Sequence, residues 1–174
     1  NTVTQYDPAR PNILGTGISS VVRYEEIDGR EYVTSQESYD TMTTYHYSSG
    51  NLEYTVEADR LLQGAASTTY YDQYGRITKI IDNNGIIYYY TYPTEAEGYN
   101  NYALGYQKIV QTAYYRRESG NPVNISKETY DANPSLYLAV SSWKEYTNAG
   151  ELIKTSDENG FITEYTYVKD TTTG

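Results

Sequence analysis

The residues of this chain that could do chemistry are few, and their spacing matches no catalytic pattern. The one histidine, His46, lies in the run Tyr45-His46-Tyr47, without a nucleophile or an orienting carboxylate in a known order. The Gly-x-Ser-x-Gly turn that presents a nucleophilic serine in many hydrolases is absent. We therefore predict that the chain is not an enzyme and that His46 is a surface residue of a β-strand.

Two acidic turns, Asp82-Asn83-Asn84-Gly85 and Asp157-Glu158-Asn159-Gly160, offer the oxygen ligands that calcium prefers. Neither has the ligand order or the terminal glutamate of an EF-hand, and the glycine-rich calcium repeat is also absent. Asn-Gly supplies the positive φ angles of a tight hairpin turn, so hairpin connections explain both segments without calcium. The chain has no cysteine and one histidine, which excludes thiolate and multi-histidine metal centres, and we predict no cofactor.

Aromatic side chains are stronger candidates, and their chemistry is binding. The chain holds 24 tyrosines but one phenylalanine and one tryptophan, so we expect tyrosine to build much of the core. Trp143 and the run Tyr88-Tyr89-Tyr90 could form a platform on which a sugar stacks. Because successive residues of a strand face opposite ways, Tyr89 lies opposite Tyr88 and Tyr90. We predict a glycan- or protein-binding surface at four residues: Tyr89, Tyr99, Tyr102 and Trp143.

The net charge of −10 restricts the partners. Nucleic acid and anionic membranes carry charge of the same sign, so neither is a predicted partner. No apolar run of about eighteen residues is present, which excludes a membrane-spanning helix. The chain starts Asn1-Thr2-Val3 without an initiator methionine, and we expect it to be a segment of a larger protein.

An internal repeat organises the sequence. The segments 71–92 and 146–167 align without a gap, 75 residues apart (71 to 146), and match at ten of twenty-two positions. Each has a glycine four residues after its first tyrosine, an Asn-Gly pair and a closing Tyr-Thr-Tyr. Weaker copies or isolated Tyr-Asp pairs occur at 6–7, 24–30, 39–40, 45–52 and 130–131. A unit of about twenty residues is therefore repeated along the chain.

The repeat unit predicts strands and turns. Residues of Phe161–Val168 alternate between two faces and are rich in aromatic and β-branched types, as in a strand. The Asn-Gly pairs predict tight hairpin turns, and Gly75 and Gly150 predict a second type of turn. Each strong unit is thus turn, strand, Asn-Gly turn and strand.

Signals for other structure are weak. The segment Glu57–Gln63 could form two helical turns that Gly64 ends, and Pro93–Gly105 is a predicted loop or insertion. No linker or charge block divides the chain. We therefore predict a single all-β array over residues 1–174, in which repeated antiparallel β-hairpins form an extended or spiralling β-sheet ribbon.

The stretch Tyr71-Asp72-Gln73-Tyr74-Gly75-Arg76-Ile77, followed by Gly85 and Tyr90-Thr91-Tyr92, resembles the YD repeat, also called the RHS repeat. That unit is written Tyr-Asp-x-x-Gly-Arg-Leu, with a Tyr-x-Tyr strand and a glycine turn. The second repeat is similar but has Thr147 in place of the aspartate and Glu151 in place of the arginine. The motif residues are Tyr71, Asp72, Gly75, Arg76, Gly85, Tyr90 and Tyr92, and then Tyr146, Gly150, Gly160, Tyr165 and Tyr167.

The resemblance implies a ribbon of hairpins in a bacterial protein that is secreted or lies at the cell surface, where such sheets often enclose a C-terminal toxin. The closing Asp-Pro-x-Gly-Leu motif of the self-cleaving core is absent, so we expect neither self-processing nor toxin activity. The first functional hypothesis is a structural segment of a shell or spacer whose partners are neighbouring repeats. The second is a module that binds glycan or protein on exposed tyrosines. Open sheet edges also predict self-association.

Overall fold

A computed structural model describes residues 2–6, 18–38, 40–59, 66–93, 108–116 and 121–167. This part of the chain is nearly all antiparallel β-structure, with thirteen strands, one short α-helix and one 3-10 turn. The predicted all-β fold of repeated antiparallel hairpins is therefore confirmed. None of its helices is long and apolar enough to cross a membrane.

Backbone contacts divide the chain into two compact units, Asn1–Ile87 and Tyr88–Gly174. The prediction of one continuous array over residues 1–174 stays a prediction. In the first unit the paired strands follow one another in chain order, and each adjacent pair is antiparallel. The strands are β1 (Thr2–Tyr6), β2 (Ile18–Ile27), β3 (Arg30–Ser38), β4 (Thr41–Ser48), β5 (Asn51–Asp59), β6 (Ala66–Tyr71) and β7 (Ile77–Ile81).

In the second unit the strand order is β8-β9-β11-β12-β13, and β10 pairs with β9. An α-helix and a 3-10 turn stand between β10 and β11. The elements are β8 (Ile87–Thr91), β9 (Lys108–Arg116), β10 (Val123–Ile125), α1 (Lys127–Ala132), the turn Pro134–Leu136, β11 (Tyr137–Tyr146), β12 (Leu152–Ser156) and β13 (Ile162–Glu164).

The core is thin. Its buried apolar side chains are Val21, Ala113, Tyr114 and Ile125, and no described side chain is completely buried. In β7 every side chain is half-buried, so the alternation expected of a strand with one buried face is missing. The expected tyrosine core is therefore wrong in one respect, because most of the described tyrosines are half-buried and only Tyr114 is buried.

The predicted helix is wrong where it can be compared. Glu57–Asp59 ends strand β5, where its backbone pairs with β6, and residues 60–64 lie outside the described residues. Local helix propensity is a weak prior that strand pairing overrides.

The helix that does form, α1, begins after Ser126, whose hydroxyl accepts a hydrogen bond from the Thr129 amide at 3.3 Å. Lys127 and Asp131 form an ion pair one turn apart along it. The Tyr130-Asp131 pair thus lies in a helix and is not a weak copy of the repeat turn.

Two other sequence predictions concern a loop and the last strand. The predicted loop Pro93–Gly105 lies outside the described residues except for Pro93. The predicted strand Phe161–Val168 is shorter than expected, because β13 covers only Ile162–Glu164 and Val168 lies outside the described residues. Backbone pairing continues for one further hydrogen bond, from the Tyr165 amide to the Ile153 carbonyl at 2.9 Å.

Candidate functional site

The repeat motif builds one kind of turn in four places. In residues 72–76 the Asp72 carbonyl accepts a hydrogen bond from the Gly75 amide, and the Asp72 amide donates to the Arg76 carbonyl, both at 2.9 Å. Gly75 has a φ of +77°, so the loop is a type I turn followed by a left-handed residue. The same two hydrogen bonds recur in residues 82–86, 147–151 and 157–161.

The predicted distinction between tight Asn-Gly turns and a second turn type is therefore wrong. In 82–86 and 157–161 only the glycine has positive φ, and the preceding asparagine does not. Tight two-residue turns stand instead at Asp28-Gly29 and Ser49-Gly50, in the weaker copies 24–30 and 45–52. Both central residues have positive φ there, as a type I′ hairpin requires.

An aspartate side chain closes three of the four motif turns. Oδ1 of Asp72 accepts hydrogen bonds from the amides of Tyr74 at 2.9 Å and Arg76 at 3.0 Å, which confirms the predicted role. Asp82 and Asp157 do the same for their own turns, at 2.8 to 2.9 Å. These oxygens are therefore engaged with backbone amides, and the described residues contain no group of three or more acidic or histidine side chains that could hold a metal.

Arg76 adds a second contact to the first turn. Its Nε donates to Oδ2 of Asp72 at 2.7 Å, and its guanidinium lies 5.1 Å from the centre of the Tyr74 ring. Both predicted partners of Arg76 are thus present together. Burial raises the pKa of Asp72, but the hydrogen bonds from Arg76 and Tyr74 and the Arg76 charge outweigh burial and lower the pKa.

In the first unit a ladder of ring contacts crosses four strands. His46 stacks on Tyr54 with ring centres 4.2 Å apart, Tyr54 contacts Tyr70 at 5.5 Å, and the Lys79 amine lies 3.9 Å above the Tyr70 ring. These residues are directly paired in β4, β5, β6 and β7, so they share one face. His46 is exposed in strand β4, as predicted, and the ladder gives it a packing contact.

Tyr89, a predicted binding residue, is used inside the second unit. Its ring contacts Tyr114 at 5.6 Å, and Tyr114 in turn contacts Tyr130 of α1 at 4.4 Å. The Tyr89 hydroxyl accepts a hydrogen bond from the Lys127 amide at 2.9 Å, in the first turn of α1. Tyr89 is half-buried in this position and joins β8 to the helix.

Trp143 lies on the same sheet face as Tyr89. Strand register pairs Tyr89 with Thr112 and Thr112 with Ser141, and Trp143 is two residues beyond Ser141. The hydroxyls of Thr112 and Ser141 are 2.8 Å apart between the two aromatic residues. The Lys108 amine lies 4.4 Å above the Trp143 ring and also pairs with Glu145 at 2.9 Å. A lysine therefore covers the indole ring that was predicted to form part of a stacking platform.

A cavity of about 400 Å³ lies within the second unit. Its lining includes residues on the face opposite Tyr89, since Tyr90, Gln111 and Ser142 are paired across β8, β9 and β11. The Tyr90 hydroxyl donates to Oε1 of Gln111 at 3.3 Å. Burial, with a smaller effect of Tyr88, raises the pKa of Tyr90. The lining residues are Tyr90, Ile109, Gln111, Ser142, Trp143, Lys144, Tyr146, Thr155, Ser156 and Asp157.

The motif tyrosines have different environments. Tyr71 is half-buried with its hydroxyl 3.4 Å from that of Thr55, whereas Tyr90 and Tyr146 line the cavity. Tyr165 and Tyr167 are exposed, although the Tyr167 hydroxyl donates to the Leu152 carbonyl at 2.6 Å. Tyr92 is half-buried.

The residues that the structure brings together are thus only partly those predicted to bind. Tyr89 and Trp143 share a face, while Tyr99 and Tyr102 lie outside the described residues. The cavity adds Gln111, Lys144 and Thr155, which the sequence analysis missed. Alternation along β11 indicates that Lys144 faces the side of the sheet opposite Trp143. The pairing of β11 with β9 and β12, which forms the cavity, cannot be derived from the periodicity of a single strand. A comparison with known protein families and with curated proteins gives no match to this chain.

Proposed function

We propose that this chain is a structural repeat segment of a secreted or cell-surface YD-repeat protein and that it builds the β-sheet of a shell or spacer. The observation that carries the proposal is the recurrence of one hydrogen-bonded turn at 72–76, 82–86, 147–151 and 157–161. A turn of fixed geometry reverses the chain into the next strand each time, which is what a repeated ribbon needs.

The contacts of the motif residues support a structural role. Asp72 and Arg76 are engaged with their own turn, and Tyr71 reaches Thr55 on a nearby strand. The ring ladder through Tyr54 and Tyr70 links neighbouring hairpins with contacts worth about 0.2–1 kcal/mol each. Nothing in this set requires a ligand.

The proposal is tested by the coding sequence on both sides of residues 1 and 174 and by the location of the protein. We expect further units with a Tyr-Asp-x-x-Gly-Arg turn and a Tyr-x-Tyr strand. We also expect an antibody against the chain to label intact source cells or their medium. Labelling only after permeabilisation, or flanks without a single such unit, would contradict the proposal.

A second candidate function is glycan binding, and the cavity of the second unit favours it. Its volume of about 400 Å³ falls in the range of small-molecule sites. Tyr90 and Tyr146 offer ring faces, while Gln111, Lys144 and Thr155 offer groups that hydrogen-bond to hydroxyls. On this hypothesis the ligand enters on the face opposite Tyr89.

A glycan array tests this candidate with two matched lysine variants. Lys144→Met removes a charge beside the cavity, and Lys79→Met removes one from β7 of the first unit, where Lys79 lies over the Tyr70 ring. We expect Lys144→Met to weaken binding of the selected glycan and Lys79→Met to leave it unchanged. Equal effects of the two variants, or an array without signal for the wild type, would reject the cavity as a glycan site.

A further inference from the structure

The last described strand, β13, and the residues on either side of it are far more exposed than their equivalents in the first repeat. Phe161, Ile162, Tyr165 and Tyr167 are 73, 57, 42 and 55% exposed. The residues at the same repeat positions, Ile86, Ile87, Tyr90 and Tyr92, are all half-buried. The sequence of the repeat is therefore able to form a covered strand, and no described strand covers the second copy.

The cover of the first repeat is strand β9. It pairs with β8 through Tyr89 with Thr112, Tyr90 with Gln111 and Thr91 with Val110. At the same repeat positions β13 and the residues after it present Glu164, Tyr165 and Thr166. Among the strands that the structure describes, β13 pairs with β12 alone. Within the described residues its outer edge is thus open, and exposed apolar side chains lie in and beside the strand, which is the condition for strand addition.

Strand β1 has the chemistry to fill this edge. It pairs with β2 alone within the described strands, and its Val3 side chain is 58% exposed. Its sequence Val3-Thr4-Gln5 contains the three residue types, Val, Gln and Thr, that β9 presents to β8. Strand β9 itself cannot serve, because it already pairs with β8, β10 and β11.

We propose that the β13 edge of one copy of this chain binds β1 of a second copy as an added antiparallel strand. The contact is heterologous, so a dimer keeps one free β1 edge and one free β13 edge, to which further copies can bind. One added strand buries less than the area of a stable dimer interface, and the association is therefore weak and concentration-dependent. This inference goes beyond the proposed structural function and does not depend on it.

The backbone shows where to block the β13 edge. The Tyr165 amide points at Ile153 of β12, and amide directions alternate along a strand. The Glu164 amide therefore points away from β12, to the open edge. Both Glu164→Pro and Glu164→Ala remove the ion pair of Glu164 with Lys154. Glu164→Pro also removes the outward amide donor without removing a bond to β12, whereas Glu164→Ala keeps that donor.

A second pair of variants addresses β1. Val3→Lys puts a charge on the open strand, and Val123→Lys makes the same change at a 47% exposed valine of β10. Sedimentation of the full chain over a wide concentration range should show a rising average mass for the wild type, Glu164→Ala and Val123→Lys. Glu164→Pro and Val3→Lys should remain monomers, and circular dichroism confirms that each is folded.

Mixing the two blocked variants distinguishes this arrangement from any symmetric one. Glu164→Pro keeps a free β1, and Val3→Lys keeps a free β13, so an equimolar mixture should form a dimer and no larger species. Added salt should strengthen wild-type association, because copies with a net charge of −10 repel each other. A monomeric wild type at every concentration and salt level, or a mixture that stays monomeric while the wild type associates, would overturn the proposal.

Discussion

The two strong repeats, Tyr71–Tyr92 and Tyr146–Tyr167, share their turns but differ in the cover of their last strand. Both form the same pair of three-residue loops, with the same backbone hydrogen bonds. Yet Tyr90 is half-buried beside β9, whereas its equivalent Tyr165 is exposed at the end of the described chain. The motif therefore fixes where the chain reverses, and the next strand decides how much the motif tyrosines contribute to stability.

The first turns of the two repeats differ as well. Asp72 accepts two amide hydrogen bonds and pairs with Arg76, while Thr147 accepts one, from the Glu151 amide at 3.1 Å. The backbone geometry nevertheless survives this loss. Glycine in the left-handed position is thus the common requirement, and the side-chain contacts add stability to it.

The largest expected effect is the difference in stability lost when the covered tyrosine or the exposed one is replaced. We expect Tyr90→Ala to lower the free energy of unfolding by about 2–3 kcal/mol, because a half-buried ring and its bond to Gln111 are lost. Tyr165→Ala should cost less than about 1 kcal/mol, since the ring is already in water. Chemical denaturation of both variants measures the difference, and equal losses would contradict the comparison.

The next effect concerns the glycine that the two repeats share. Gly85 and Gly160 have φ of +79° and +83°, and an added Cβ would meet no atom within 4 Å at either site. The cost of Gly85→Val or Gly160→Val is therefore backbone strain, which we expect to exceed about 1 kcal/mol in each.

Thermal melts test this expectation, with the asparagine variants of the same two glycines as controls. Asparagine tolerates the left-handed region better than valine, so its variants should melt closer to the wild type. Melting curves of the valine variants that match the wild type would show that these turns do not need positive φ.

The hairpin array and its turn positions could be predicted from the spacing of Gly75, Gly85, Gly150 and Gly160, because only glycine adopts that φ cheaply. The type of turn could not, since Asn-Gly fits both a two-residue loop and a type I turn with a bulge. The burial of individual side chains could not be predicted either. It depends on which strand pairs with which, and period-two alternation in one strand carries no information on its neighbours.

The predicted binding residues show the same limit. Alternation correctly put Tyr89 opposite Tyr90, as the register with Thr112 and Gln111 shows. It did not reveal that the Tyr89 hydroxyl accepts a bond from the Lys127 amide or that Lys108 covers Trp143. Both contacts join residues more than thirty positions apart, and no local pattern encodes them.

A smaller effect appears in the pH dependence of the first turn. The lowered pKa of Asp72 means that its ionised form stabilises the folded state. This contribution is complete above the ordinary value of 3.8 and disappears as the pH falls through the lowered folded-state pKa. We expect Asp72→Asn to destabilise the protein at pH 7 and to have little effect at the acid end. Melts of both proteins across this range test it, and a difference in stability that is constant with pH would contradict the assigned role.

The smallest effect is a gain, obtained by completing the motif in the second repeat. Thr147→Asp offers a carboxylate to the two turn amides, and Glu151→Arg supplies the guanidinium that Arg76 provides in the first repeat. We expect the double variant to be stabilised by about 0.5–1 kcal/mol, with a coupling between the two changes of up to about 0.5 kcal/mol.

A double-mutant cycle measures that coupling, and the cycle Asp72→Thr with Arg76→Glu is its mirror image in the first repeat. If the turn geometry alone sets the contact, the two cycles should give coupling energies of the same sign. A coupling in the first repeat with none in the second would mean that the Asp-Arg contact needs cover from neighbouring strands. The turn as well as the strand would then depend on the position of the repeat in the array.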